Sequence, residues 1–280
     1  MPIESETSQF ATKGTSALLD RLERQIQLTA KSQGPEAVHD LRVDIRRFTQ
    51  ALVTFKQYFP PGARKEVRGA LKMLMKLAGP VRDSDIAVKF LRKAEGADAA
   101  KLRREVRARR TDLAAKLALE LKKWNRRQPL SKWRAALLPA HAAEGPGYAT
   151  AGAEARHALP RVAVQLFKAG NRAAKASVLE IHAFRIQAKK FRYTIELFQP
   201  VYGPPADRWL RQLKQVQTLL GDINDCRVMR ERVAELGGNH EIAARLKKRQ
   251  HKKTQKFQEL WETGYGAKAR REWLRQIRTA

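Results

Sequence analysis

The sequence has only one cysteine among 280 residues, so no disulfide can form within the chain. An unpaired cysteine is typical of a protein in a reducing cytoplasm, and we interpret Cys226 as a core residue rather than a nucleophile. No apolar run reaches the roughly 18 residues that a membrane-spanning helix needs. The start, MPIESETSQFATKG, also lacks the apolar stretch of a secretory signal. These absences favour a cytoplasmic protein.

Acidic residues are scarce: 28 Asp and Glu face 57 Lys and Arg, which leaves a net charge of +29. A charge of this size destabilises the compact state by self-repulsion, and a bound polyanion would relieve that repulsion. The composition therefore predicts a polyanionic partner. Nucleic acid, an anionic membrane surface and inorganic polyphosphate are the three candidate classes.

No long stretch alternates apolar and polar residues with the period of a β-strand, which predicts an all-α protein. Helix-forming segments rich in Ala, Leu, Arg, Lys and Glu are separated by short Pro and Gly breaks, including Gly79-Pro80 and Gly221. These breaks predict helices at about 13–33, 36–59, 63–79, 82–95 and 98–126, then at about 151–173, 178–200, 205–220, 222–236, 239–263 and 266–278.

One phrase occurs twice. VHDLRVDIRRFTQALVTF (38–55) and IHAFRIQAKKFRYTIELF (181–198) share a histidine, an arginine three residues later and a basic pair, 143 residues apart. LKMLMKLAGPVRDSDIAV and LKQVQTLLGDINDCRVM follow them at a separation of 142. The repeat predicts two copies of one helical bundle.

Each repeated helix is predicted to have an apolar stripe and a basic face. On a wheel of about 100° per residue, His39, Arg42 and Arg46 lie between about 100° and 160° from Leu41. The apolar stripes are Leu41, Ile45, Phe48, Leu52 and Phe55 in one helix and Phe184, Phe191, Ile195 and Phe198 in the other. The basic faces are His39, Arg42 and Arg46, and then His182, Arg185, Lys189 and Arg192. A row of like charges is unfavourable on a helix, which indicates an anion lying along it.

The acidic segments RDSD (82–85) and DINDCR (222–227) are predicted to stand at helix starts. Asp83 and Asp222 then either cap backbone N–H groups there or pair with the arginines of the repeated helices. No histidine or glutamate stands at a ligand spacing from these aspartates, so the sequence predicts no metal site.

These phrases and acidic segments resemble the conserved histidine α-helical domain (CHAD) family over about residues 13–263. The resemblance implies two tandem helical bundles related by an internal pseudo-two-fold axis, with a central basic groove that binds inorganic polyphosphate. It also implies association with polyphosphate granules. We expect a first bundle half at 13–127, an irregular connection at 128–150, a second half at 151–263 and a basic C-terminal tail helix at 264–280.

The resemblance and the basic faces together give the candidate polyphosphate-binding residues. The two copies differ at Asp40 and Ala183, and at Arg82 and Asn224, which changes how the second face is anchored. The candidates are His39, Arg42, Arg46, Arg47, Lys72, Lys76, His182, Arg185, Lys189, Lys190, Arg192 and Lys214.

The sequence predicts a binding protein rather than an enzyme, and no cofactor. Phosphoryl transfer uses a glycine-rich phosphate loop or a carboxylate-held metal, and no GxxxxGK[ST] motif is present. The alternative is nucleic-acid binding through segments 101–127 and 245–278, which have 11 and 12 Lys and Arg against three Asp and Glu each. Against this alternative, no helix-turn-helix, zinc-finger or RNP signature occurs, and the basic faces have few aromatic residues.

Overall fold

The computed structural model describes residues 6–92, 97–127, 129–137, 148–175, 178–235 and 240–279. These residues form ten α-helices, one 3-10 helix and an isolated bridge between Glu6 and Thr150. The predicted all-α class is confirmed. The helices are α1 Thr7–Lys31, α2 Pro35–Thr54, the 3-10 helix Lys56–Tyr58, α3 Pro61–Leu91, α4 Ala97–Arg127, α5 Pro129–Leu137, α6 Ala151–Lys175, α7 Val178–Tyr202, α8 Pro204–Glu235, α9 His240–Gly264 and α10 Ala267–Thr279.

Proline marks the start of four helices, because its fixed φ angle suits a first turn and its missing N–H would have no partner there. Pro35, Pro61, Pro129 and Pro204 are the first residues of α2, α3, α5 and α8. A single residue, Gly203, separates α7 from α8. Its φ angle of 59° lies in the left-handed region, and its N–H donates to the Gln199 carbonyl at 2.8 Å, which ends α7.

The predicted breaks at Gly79-Pro80 and at Gly221 are wrong. Helix α3 continues through Pro80 to Leu91, and α8 continues through Gly221 to Glu235. Because both helices are continuous, the acidic segments 82–85 and 222–227 lie well inside them. Asp83 and Asp222 therefore do not cap helix starts, and that reading is also wrong.

Side-chain donors accompany the turn of α3 that contains Pro80. Proline removes the N–H that would bond the carbonyl of Lys76, which normally kinks or ends a helix. Beside this carbonyl, the Arg42 Nη1 donates to the Met75 carbonyl at 3.3 Å. The Ser84 hydroxyl donates to the Pro80 carbonyl at 2.9 Å. Side-chain donors thus supplement the backbone hydrogen bonds of this turn.

The chain divides into two compact units. The first unit takes the described residues of 8–147 and 231–242, and the second takes those of 6–7, 148–230 and 243–279. In chain order, the first unit begins with the four long helices α1 to α4 and the short α5. The second contains α6, α7, most of α8 and α9, and the short α10, while the last residues of α8 and the first of α9 belong to the first unit. The internal symmetry and the boundaries expected from the repeat stay predictions.

Aromatic side chains dominate the core of the second unit. The Phe167 ring lies 5.8 Å from Trp261 and 6.0 Å from Trp273, between ring centroids. Trp261 stacks on Tyr265 at 4.8 Å with an angle of 7° between the rings. Cys226 is also buried there and burial raises its pKa, which confirms that it is a core residue.

Helix α10, expected to be a basic tail, has an apolar face that belongs to this core. Trp273 and Ile277 are buried, and the Tyr202 hydroxyl donates to the Ile277 carbonyl at 2.9 Å. The Trp209 Nε1 donates to Gln276 Oε1 at 3.2 Å. The basic residues of α10 lie on its other sides, so the helix is both packed and cationic.

Gly170 is required where α6 passes the Trp261 ring. A methyl group at this position would lie 2.0 Å from Trp261 Cζ2, and Trp261 is only 2% exposed. We therefore predict that Gly170→Ala destabilises the protein by about 1–3 kcal/mol, because overpacking outweighs the gain in helix propensity. Chemical denaturation followed by tryptophan fluorescence measures the change.

Gly221→Ala in α8 is the matched control, because a methyl group there would meet no atom within 4 Å. We expect this variant to be as stable as the parent or slightly more stable, since alanine favours the helix. Equal effects of the two substitutions would contradict the account of the Gly170 contact.

Candidate anion-binding faces

Both apolar stripes of the repeated helices are buried, as predicted. In α2, Leu41, Phe48 and Leu52 are fully buried, and Phe184, Phe191 and Phe198 are fully buried in α7. Because one side of each helix is committed to the core, the residues on its other side are oriented away from that core. The histidines and arginines lie on this other side. We call His39, Arg42 and Arg46 the first face, and His182, Arg185 and Lys189 the second face.

In the first face, Arg42 reaches across to α3. Its Nη1 donates to the Met75 carbonyl at 3.3 Å and lies close to Gly79, where a methyl group would meet it at 3.2 Å. Gly79 therefore leaves space for the guanidinium beside α3. The contact with Met75 and the space at Gly79 thus place the Arg42 guanidinium between α2 and α3.

His39 is half-buried beside Arg82 of α3. The Arg82 Nη1 donates to the carbonyl of Pro35, at the first residue of α2, at 3.3 Å. Burial holds the pKa of His39 below its usual 6.5, and the charge of Arg82 lowers it further. Asp40 and Glu36 oppose this shift, and Arg46 adds to it. At pH 7 the imidazole is therefore mostly neutral and can donate from one ring nitrogen.

Arg47 has a structural contact with the aspartate three residues before it in α2. Its Nη1 lies 3.6 Å from Asp44 Oδ1, and the same oxygen lies 2.8 Å from Arg21 Nε of α1. Asp44 is 2% exposed, and burial raises the pKa of its carboxyl despite the two arginines. Arg47 thus helps to compensate a buried carboxylate between α1 and α2, and its role in binding stays a prediction.

Two aspartates of the acidic segments hold the helix that follows them. The Arg110 Nε of α4 donates to Asp85 Oδ1 at 2.8 Å, and Asp85 is buried. The Lys253 Nζ of α9 lies 2.5 Å from Asp222 Oδ2. These carboxylates compensate cations of α4 and α9, which the sequence did not predict.

Lys72 and Lys76 lie one turn apart on α3, and both are exposed. Among the described residues, no carboxylate lies within 4.0 Å of either ammonium group. Lys65 and Arg68 extend the same exposed row toward the start of α3. The first unit therefore presents a cationic row on α3 in addition to the face on α2.

The second face is more open than the first. His182 and Lys190 are exposed, and Arg185 and Lys189 are half-buried. No glutamate or aspartate stands at 183, where the first copy has Asp40. The repeat thus keeps the positions of the basic residues but gives them different surroundings in the two units.

Arg192 is held by its neighbours. Its Nε donates to Glu196 Oε1 at 2.7 Å, and its Nη1 donates to Gln217 Oε1 of α8 at 3.1 Å. The Gln217 Nε2 then donates to the Ala188 carbonyl at 3.1 Å, which closes a small network between α7 and α8. We assign Arg192 a structural part in this network, while its binding of an anion stays a prediction.

Lys214 lies in a groove between α8 and α9, together with Arg211 and Lys256. The sequence reasoning selected Lys214 by its alignment with Lys72 and missed the other two. The only sequence signal for Lys256 was its place in the basic segment 245–278. Nothing in the repeat pointed to Arg211, which aligns with Gly69.

The described residues contain no group of three or more His, Cys, Asp and Glu side chains that could hold a metal ion. Within the same part of the chain, no helix is long and apolar enough to cross a membrane.

Comparison with known proteins identifies what this chain is similar to. The family model of the CHAD domain matches residues 14–234. The crystal structure of the CHAD domain from the plant Ricinus communis has a TM-score of 0.72 at 19% identity, covering 100% of this chain and 94% of that one. PptA from Streptomyces chartreusis has a TM-score of 0.68 at 17% identity, covering 92% of this chain and 100% of that one. No curated protein matches the sequence.

Removing the charge of Arg82 should raise the pKa of His39. In Arg82→Gln the guanidinium that lowers this pKa is lost, whereas burial, the larger cause, stays. We therefore expect the pKa of His39 to rise, as measured by an NMR titration of the imidazole resonances. Lys65→Gln, on the same helix, is the control and should leave the value unchanged. An unaltered His39 titration in Arg82→Gln would show that the two side chains do not interact.

Proposed function

The chain belongs to the CHAD domain family, and from this membership we propose that it binds inorganic polyphosphate on the basic faces of α2 and α7. The observation that carries the proposal is the register of the two faces. A histidine and two cations recur at the same spacing on two helices, each time opposite a fully buried apolar stripe. The net charge of +29 supports a polyanion as the ligand.

The side chains of the two faces suit a chain of phosphoryl groups. Arginine donates two parallel hydrogen bonds to phosphate oxygens, whereas lysine attracts them as a point charge. Arg42 and Arg185 would supply the bidentate contacts, and Lys189 would add charge. His39 would donate one hydrogen bond in its neutral form, and protonation would strengthen that contact when an anion lies beside it.

The proposal extends to the arrangement implied by the family. We propose that an internal pseudo-two-fold axis relates the two bundles and that both faces line one central basic groove. The support is the near-constant separation of the repeated residues, 143 in the first motif and 142 in the second. A protein of this kind would be located at cytoplasmic polyphosphate granules.

We propose binding without catalysis. The aspartates that could hold a metal are engaged by cations, as with Asp85 and Arg110 or Asp222 and Lys253. We therefore predict no release of phosphate from polyphosphate or nucleotides, with or without Mg²⁺, in a colorimetric phosphate assay. Metal-dependent release that survives repurification and disappears in Asp85→Asn or Asp222→Asn would contradict this prediction.

Reversing the charge of one arginine in each face should weaken polyphosphate binding. In the double variant Arg42→Glu/Arg185→Glu, each lost charge-assisted contact would cost about 1.5–3 kcal/mol. We expect the dissociation constant to rise at least about a hundredfold, as measured by isothermal titration calorimetry with long-chain polyphosphate at constant salt.

The matched control is Lys268→Glu/Arg271→Glu, which changes the net charge equally at two exposed positions of α10. Its charges act on the ligand at a distance and are screened by salt, so we expect a much smaller loss of affinity. Circular dichroism establishes that both variants are folded. Equal losses would mean that overall charge, rather than the two faces, determines binding.

The alternative function is binding of a nucleic-acid backbone, and one feature of the structure favours it. Much of α4 and α9 is exposed and cationic, including Arg104, Arg107, Lys248 and Lys252. A duplex could contact such helices through its phosphates alone, without reading bases. The repeated histidine faces have no part in this alternative, so the variant Arg42→Glu/Arg185→Glu would affect DNA binding no more than its control.

A further inference from the structure

A second cationic site lies in the second unit, in the groove between α8 and α9. The groove is open to solvent and has a volume of about 870 Å³. Arg211 and Lys214 enter it from α8, and Lys256 enters it from α9. Cations from two helices therefore converge on one concave surface.

These three cations have no carboxylate partner in the described residues. No carboxylate oxygen lies within 4.0 Å of Arg211, Lys214 or Lys256, although Glu259 lines the same groove. By contrast, Lys253, three residues before Lys256 on α9, does have a carboxylate partner, because its Nζ lies 2.5 Å from Asp222 Oδ2. Three like charges around one groove repel each other, and an anion bound among them would relieve that repulsion.

Apart from the Glu259 carboxylate, which opposes a bound anion, the remaining polar groups of the groove are hydroxyls and an amide. The Thr218 hydroxyl donates to the Lys214 carbonyl, and the Thr263 hydroxyl donates to the Glu259 carbonyl, each at 2.8 Å. Their hydrogens are therefore directed to the backbone. The donors that remain on the lining of the groove are the guanidinium, the two ammonium groups and the Gln215 amide. This set suits an anion of several charges, because arginine binds phosphoryl oxygens in pairs and lysine adds point charges.

The groove is on a different side of α8 from the contact with α7. Gln217 faces α7, where it bonds Arg192 and the Ala188 carbonyl. Thr218, the next residue, lines the groove toward α9. Two leucines, Leu219 and Leu260, also line the groove, which is open to solvent.

We propose that the α8/α9 groove is a second anion site, distinct from the histidine faces, that binds an oligophosphate through Arg211, Lys214 and Lys256. The ligand is a short run of linked phosphoryl groups, which a free oligophosphate or a segment of a polyphosphate chain can supply. The site needs no contribution from α2 or from the basic face of α7.

The test titrates sodium tripolyphosphate into the full chain by isothermal titration calorimetry. The variant is Arg211→Gln/Lys256→Gln, which leaves Lys214 and both histidine faces intact. The control is Arg208→Gln/Lys252→Gln, two exposed cations of the same helices that do not line the groove. We expect about a tenfold loss of affinity for the groove variant, equal to about 1.4 kcal/mol, and less than about a twofold loss for the control.

A second variant keeps the proposal testable if the first one does not fold. Gln215→Glu introduces a carboxylate into the groove from an exposed position and should also weaken tripolyphosphate binding. Gln212→Glu, exposed on α8 outside the groove, should not. Equal effects of the groove variant and its control, or of the two glutamate variants, would overturn the proposal.

Parallel titrations with tripolyphosphate and long-chain polyphosphate distinguish the two sources of phosphoryl groups. A groove that takes part of a long chain predicts that the groove variant weakens both ligands. A groove for free oligophosphates predicts an effect on tripolyphosphate alone. If long-chain binding depends on Arg42 and Arg185 while neither ligand responds to the groove variant, the groove proposal fails and the proposed function stands. If long chains do not bind but tripolyphosphate binding depends on Arg211 and Lys256, the proposed function fails and the groove proposal stands.

Discussion

The burial of one apolar stripe on each of α2 and α7 is the constraint on which the candidate faces depend. Phe48 and Phe191 are fully buried at equivalent positions of the repeat, and each fixes the rotation of its helix about its axis. Once that rotation is fixed, the histidine and the cations three and seven residues later must lie on the side of the helix that faces away from the core. The direction of the basic faces is thus a consequence of hydrophobic packing, and no separate interaction has to orient the helix.

The distribution of carboxylates explains how a chain with twice as many basic as acidic residues keeps its helices together. Buried or half-buried aspartates are used between helices: Asp44 joins α2 to α1, Asp85 joins α3 to α4, and Asp222 joins α8 to α9. Each of these aspartates forms a short ion pair with a cation of another helix in the same unit. With these carboxylates committed, cations such as Lys72 and Lys214 have no carboxylate within 4.0 Å among the described residues. The scarcity of acidic residues destabilises the unbound protein by charge repulsion, and for the same reason it favours a bound polyanion.

The sequence predicted the helical class, the two apolar stripes and the membership of the family, because these depend on local periodicity and on a repeat visible in the letters. It was wrong at Gly79-Pro80, where Arg42, 38 residues away in the chain, contacts the disrupted turn. It also missed the groove of Arg211 and Lys256, since these residues come from helices that meet only in the fold. Nor did it predict the contact of Arg192 with Gln217, which lies 25 residues away in the chain. The pairs Arg47–Asp44 and Arg192–Glu196 stand at helix spacings of three and four, so they were visible in the sequence, but both arginines were assigned to binding. The local sequence pattern therefore predicts which segments are helices, whereas the partner of each charged side chain depends on its neighbours in the tertiary structure.

The most direct test of the central claim is a pair of titrations of the full chain, one with long-chain polyphosphate and one with duplex DNA of equal total charge, at the same salt concentration. Both ligands attract a protein of this charge, and salt weakens both interactions. In the proposed mode of binding, polyphosphate follows the repeated faces as a flexible chain of phosphoryl groups, whereas a stiff duplex does not. The account predicts that polyphosphate binds more tightly and still binds at a salt concentration at which DNA is released. Equal affinities with the same dependence on salt, or tighter binding of DNA, would contradict it.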